Sequence, residues 1–135
     1  MRGQLAALVI AAVTICTPAS PAPLTQTCTI VPMVFFDTDK SNLTDKAQEV
    51  IAESARWIAH DHATHILVTG YCDAAEIVQG CAALALRRAH AVKAELVRVG
   101  MDEGMLEVRA SEELLVPTGP NVREPQNRRA AIDWY

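Results

Sequence analysis

The sequence has no excess of positive charge. Twelve Lys and Arg stand against 16 Asp and Glu in 135 residues, a formal net charge of -4. A mildly acidic chain gives no electrostatic basis for binding nucleic acid, which needs a basic patch or stripe. Long apolar runs are also scarce. Leu5 to Ile15 is uncharged and apolar but too short for a comfortable span of about 20 residues. No other segment could cross a bilayer, and nothing reads as a series of barrel strands. Enzyme signatures are missing: there is no GxSxG elbow, no P-loop and no HExxH, and the carboxylates form no recognisable acid/base pair. Asp73 could act as a nucleophile in principle, but no base or metal partner can be named beside it. The chain therefore reads as a non-enzyme without a cofactor. Its four cysteines show neither CxxC nor zinc-ribbon spacing, which argues against a thioredoxin-like redox site and a structural zinc.

What is present suffices for one domain. Half of the residues are hydrophobic and 21% are charged, so a core can be buried and the chain is not of the disordered class. The first 22 residues resemble a secretory signal peptide: Arg2, then the apolar run, then small residues with cleavage near Ala19 or Ala22. Ile15 is too bulky for the residue before a lipid-bearing Cys16, so no lipid anchor is expected. Residues 23–28 read as a short linker and 29–135 as the domain. Cleavage removes only Arg2 from the charge count, leaving eleven basic against sixteen acidic residues, near -5. Export implies an oxidising compartment, where Cys28, Cys72 and Cys81 remain. Cys72 and Cys81 are close enough in sequence to bridge, leaving Cys28 free.

Periodicity gives the elements. Thr29 to Phe36 reads as a buried strand, with Pro32 implying an edge position or an irregular start. A polar loop follows. Thr44 can cap a helix carrying Ala47, Val50, Ile51, Ser54, Ala55 and Ile58 on one face. His65 to Tyr71 is a second strand. A loop then leads to a helix from about Gly80 to Val99, stopped by Gly100. Met105 to about Ser111 and Arg128 to Tyr135 are the last two strands, separated by a long polar loop. The order β-α-β-α-β-β implies an α/β two-layer sandwich with both helices on one face of a single sheet. Right-handed crossovers through each helix would pair the first three strands in parallel.

Two metal readings fall away. Asp37, Asp39 and Ser41 occupy the first ligand positions of a calcium loop, but Asn42 and Gln48 stand where Gly and Glu are required. His60, His62 and His65 could serve zinc, yet they lie where a helix ends, a place that suits histidine by its dipole alone. More informative are Asp73, just past a strand end, and Arg88, in the helix that returns from the same loop. A carboxylate facing a guanidinium across a gap suits a zwitterion, the first holding an ammonium and the second gripping a carboxylate at two points. The alternatives are that the two pair with each other, or that Arg88 is solvated on its helix flank.

Three motifs, in order, carry a family resemblance: VFFDTDKSNLT (Val34 to Thr44); GYCD with LALRRAHAVKAELVRVGM (Gly70 to Asp73, Leu84 to Met101); and LVPTGPNVREPQNRRAAI (Leu115 to Ile132). Together they resemble the OmpA-like peptidoglycan-binding domain shared by OmpA, Pal lipoproteins and MotB, over about Cys28 to Tyr135. The resemblance implies a mixed four-stranded sheet with helices on one face. It implies non-covalent binding of peptidoglycan through the diaminopimelate of the stem peptide, in the periplasm or cell envelope, with outer-membrane or other envelope proteins as further partners. Asp73 falls on the family's ammonium-binding aspartate and Arg88 on its carboxylate-binding arginine. Phe36, Asp37 and Thr38 match a wall of the site, and Asn127, Arg128 and Arg129 match a supporting N-R-R motif.

The departures are concentrated between the two charges. Tyr71 and Cys72 replace the usual His-Thr, Ala74, Ala75 and Glu76 the usual Thr-x-Gly, and Gly80 and Cys81 the usual Tyr-Asn. The expectation is weakened binding, with Glu76 adding negative charge near the pocket and a Cys72–Cys81 link holding the loop in place of the lost contacts. The competing expectation is an envelope scaffold on the same fold that has lost its affinity for the wall.

Overall fold

The structure, a computed structural model, describes residues 30–135. The expected signal peptide, the linker and Cys28 lie outside the described residues. Four strands, β1 (Met33–Phe35), β2 (Ile66–Tyr71), β3 (Leu106–Ser111) and β4 (Arg129–Trp134), form one sheet. Three helices, α1 (Asp45–His60), α2 (Ala74–Val78) and α3 (Ala82–Arg98), connect them, with short 3₁₀ turns at Glu103–Met105 and Pro125–Asn127. Among the described residues, no helix is long and apolar enough to cross a membrane.

Helix α1 begins where its capping residue lies: Thr44 Oγ1 accepts the Ala47 N–H at 3.1 Å and Asp45 occupies the first turn. Its apolar stripe, Ala47, Ile51, Ala55 and Ile58, meets Ala89, Val92 and Leu96 of α3 in one buried cluster. Alternate residues of each strand complete that cluster: Val34, Ile66, Val68, Leu106, Ala130 and Ile132. Both long helices therefore cover the same face of the sheet. Helix α3 ends at Arg98, and Gly100 takes φ +109°, a conformation that suits glycine.

The sheet is mixed, in the order β1-β4-β2-β3. β2 and β3 pair in parallel around α3, as expected, but β1 does not pair with β2. β4 lies between them, antiparallel to both. The expectation of parallel pairing among the first three strands is thus corrected at β1. The reason is burial on both faces: Arg129 to Ile132 are all buried, so β4 belongs inside the sheet. β1 is three residues long and follows Pro32, which has no N–H to donate, so it closes an edge.

One glycine sets the spacing between sheet and helix. A Cβ on Gly70 would lie 1.9 Å from the carbonyl oxygen of Ala85. Helix α3 therefore packs directly on the β2 backbone, and Arg88, nearly one turn further on, reaches the end of that strand. Helix α2 occupies part of what reads as a loop. Its signal is the DAAE run: Asp73 accepts the Glu76 N–H, and the Glu76 carboxylate accepts the Asp73 N–H, a reciprocal capping box.

Candidate functional site

Asp73, Glu76, Arg88 and Arg128 converge beyond the ends of β1 and β2. Arg88 and Asp73 are fully buried, at 0% exposure each, and Glu76 and Arg128 nearly so. Arg88 makes a two-point ion pair with Glu76: Nη1 donates to Oε2 and Nη2 to Oε1, each at 2.8 Å. Nη1 also donates to the Tyr71 carbonyl at 2.8 Å, Nη2 to the Asp37 carbonyl at 3.2 Å and Nε to the Lys40 carbonyl at 2.9 Å. A guanidinium has five N–H donors, and here each has an acceptor. The Phe36 ring completes the enclosure, with its centroid 5.4 Å from the guanidinium carbon.

Glu76 is equally saturated. Oε1 also accepts the Asp39 N–H at 2.9 Å and Oε2 the Asp73 N–H at 3.0 Å, so four donors fill the roughly four acceptor positions of the carboxylate. Asp39 takes φ +57°, a left-handed conformation that Asp tolerates, in the β1–α1 loop from which its N–H reaches Glu76. Burial pushes the Glu76 carboxyl up. The Arg88 hydrogen bonds, the Asp39 and Asp73 N–H groups and the Arg88 charge together outweigh burial and hold it below the usual carboxylate value.

Asp73 is occupied by other groups. Oδ1 accepts the Glu76 N–H at 2.8 Å, and Oδ2 accepts from Arg128 Nη1 at 3.1 Å. Arg128 Nε also donates to the Phe36 carbonyl at 3.1 Å. Asp73 and Arg88 are thus brought to one buried pole, as the sequence implied, but neither sequence alternative describes them. They do not pair with each other, and Arg88 is not solvated. Each has a partner of opposite charge from within the chain.

The remaining candidates fall around this pole. Phe36 is core, Asp37 contributes its carbonyl, and Thr38 is half-buried in the same turn. Asn127 turns away from the charges: its amide donates to the Val116 carbonyl and its side-chain oxygen accepts the Val116 N–H, both at 2.9 Å, pinning the long loop before β4. Arg129 lies over the Tyr71 ring at 3.8 Å from its centroid, and burial lowers its pKa despite Tyr71 and Glu113 nearby. Cys72 and Cys81 are thiols here, buried in one apolar cluster with Leu84 and Ala85, and Cys72 Sγ donates to the Cys81 carbonyl at 3.6 Å. The histidines go elsewhere: His60 contacts Asp61 and His65 stacks on Tyr135. Among the described residues, no group of three or more His, Cys, Asp or Glu is placed to hold a metal.

One hollow borders the cluster at Arg128. It has a volume of about 430 Å³ and is lined by Phe35, Phe36, Asp37, Thr44, Gln126 and Arg128. Arg128, with 11% of its side chain exposed, is the cluster member nearest solvent. A roomier groove of about 810 Å³ runs beside α1, past Val50, Trp57 and Trp134, and does not touch the buried charges.

The profile of the OmpA family matches residues 35–128, which run from the last residue of β1 to the residue before β4 and include every member of the cluster. The chain belongs to the OmpA family. An outer membrane protein of Gluconacetobacter diazotrophicus is 45% identical over 108 residues, covering 74% of this chain and 29% of that protein. The matched stretch thus spans less than a third of that relative's length. The peptidoglycan-associated lipoprotein from Burkholderia pseudomallei superposes with a TM-score of 0.68 at 25% identity, over 77% of this chain and 90% of that one. The C-terminal domain of Helicobacter pylori MotB gives 0.67 at 21% identity, over 79% and 86%. The OmpA-like domain of FopA1 from Francisella tularensis gives 0.63 at 21%, over 76% and 70%. The last two likenesses speak for the OmpA-like fold alone.

Glu76 is the residue whose place the sequence understated. Its negative charge was legible as lying near the pocket, and the DAAE capping pattern was available as a signal. Its two-point contact with Arg88 was not, because only the fold sets the direction of α2.

Proposed function

We propose that this chain is a non-enzymatic peptidoglycan-binding domain of the cell envelope, acting in the periplasm on the stem peptide. In this reading, the loop pole recognises diaminopimelate: Asp73 takes an ammonium, Arg88 a carboxylate, and Phe36, Asp37 and Thr38 form a wall. The observation that carries it is the convergence of two carboxylates and two guanidiniums in one buried cluster. Burying four ions is costly, and well-packed apolar residues often stabilise a fold as well or better, so a cluster of this kind supports a binding role. Family membership and the likeness to a peptidoglycan-associated lipoprotein support the same reading.

The saturation of Arg88 favours a second reading. With all five of its donors used inside the chain, the cluster serves as an internal strut, and the domain acts as an envelope scaffold without affinity for the wall. Co-sedimentation with purified sacculi separates the two. Under the first reading the wild type pellets, while Asp73→Asn and Arg88→Lys, shown folded by circular dichroism, stay in the supernatant. Wild type that remains in the supernatant favours the second reading, and pelleting unchanged in both variants removes the pocket assignment.

A further inference from the structure

We infer that Glu76 is an internal stand-in for a ligand carboxylate, and that an external carboxylate enters the Arg88 fork only by displacing it. The inference rests on the site assignment above and specifies what controls that site.

Four donors converge on the Glu76 carboxylate: Arg88 Nη1 and Nη2, the Asp39 N–H and the Asp73 N–H, at 2.8 to 3.0 Å. Such a cradle holds a carboxylate of either origin, because the donors meet only its two oxygens. Three of them are held in place without Glu76. Arg88 is braced by the carbonyls of Tyr71, Asp37 and Lys40, and Asp73 by Arg128. Removing the Glu76 side chain therefore leaves a gap the size of a small carboxylic acid, with its guanidinium face already oriented. The Glu76–Arg88 pair is enclosed, with side-chain exposure of 1% and 0%, so an external carboxylate and Glu76 cannot occupy the fork together. The 430 Å³ hollow beside Phe36, Asp37 and Arg128 borders the cluster at Arg128 and does not reach the fork, so entry of a ligand requires α2 to move.

The competing occupant is tethered, which gives it an advantage over a ligand in solution. It is held at the third position of a five-residue helix whose cap it also helps to form, so its effective concentration at the fork is high. Glu76 thereby determines whether the pole takes a ligand at all. Once it is truncated, affinity for carboxylates rises about ten- to hundredfold, the equivalent of one charge-assisted hydrogen bond no longer competed away.

The test uses acetate as the probe and E76A as the variant. The melting temperature of E76A is compared in sodium acetate and in sodium chloride at equal ionic strength and pH 7. E76A should melt below the wild type, and acetate should restore part of the loss; relative to chloride, E76A should gain more from acetate than the wild type does. E76A that gains no more from acetate than the wild type does overturns the inference. If E76A does not fold by itself, its refolding yield in the two salts probes the same fork, and equal yields overturn the inference as well. Sacculus pelleting of wild type and E76A tests the functional reading separately. Acetate rescue with stronger pelleting of E76A supports both. Acetate rescue with no pelleting of either protein leaves the stand-in role established and the peptidoglycan reading refuted.

Discussion

Glu76 and Arg88, twelve residues apart, form a two-point ion pair with both contacts at 2.8 Å and almost no solvent exposure. The pair joins α2 to α3, and through the Arg88 carbonyl contacts it also joins β2 and the β1–α1 loop.

Breaking that pair from one side should be severe. Arg88→Met leaves the Glu76 carboxylate buried without its counter-ion and should cost about 3–5 kcal/mol. The double variant Glu76→Gln/Arg88→Met removes both charges and should recover a substantial part of the loss. Urea denaturation of the two single variants and the double gives the coupling. Losses that simply add would show that the pair is not a unit.

The pair should also govern acid stability. The Glu76 carboxyl is held below its ordinary value near 4.5, so its contribution is fully present above that value. The contribution fades as pH falls through the lower folded-state value and Glu76 must be protonated in place. The wild type should therefore lose stability more steeply than Glu76→Gln below about pH 4.5, and the gap between them should narrow. Urea midpoints between pH 7 and pH 2.5 read this directly, and parallel curves would contradict it.

Gly70 should tolerate no side chain. With a Cβ 1.9 Å from the Ala85 carbonyl, α3 must retreat from β2. Gly70→Ala should cost about 3 kcal/mol, the upper end for overpacking, because the Cβ meets a backbone carbonyl and no rotamer relieves it. It should also displace Arg88 from the Tyr71 carbonyl. Thermal unfolding checks the first effect and sacculus pelleting the second. A melting temperature within a degree or two of the wild type would show that α3 shifts freely.

The thiols should be slow to react while the domain is folded. Burial raises the Cys72 thiol, with its contact to Cys81 and the Glu76 charge adding to the effect, and burial raises Cys81 as well. The reactive thiolate is therefore scarce in the native state. Both cysteines should resist maleimide until denaturant is added. Refolding in an oxidising glutathione buffer should form the Cys72–Cys81 bridge, which would contribute about 2–3 kcal/mol by closing a short loop. Mass measured before and after reduction shows the bond. Free thiols at both positions after oxidative refolding would remove it.

The sequence by itself determined most of the local structure, because the forces involved act between near neighbours. Thr44 caps its helix three residues on, and Gly100 ends one. Pro32 marks an edge, and the apolar stripes of α1 and α3 follow the helical repeat. It also located Asp73 and Arg88 at one end of the molecule, since a strand end and the helix returning to it must lie together. Two features were decided only in three dimensions. The placement of β4 between β1 and β2 depends on burial from both sides, which alternation along one strand does not reveal. The partners of the buried charges depend on where α2 points. Five residues of helix turn Glu76 inward onto Arg88 and leave Asp73 to Arg128, 55 positions away. A charge in sequence states only what a group can bind; the fold chooses among the available partners by distance and by exclusion of water.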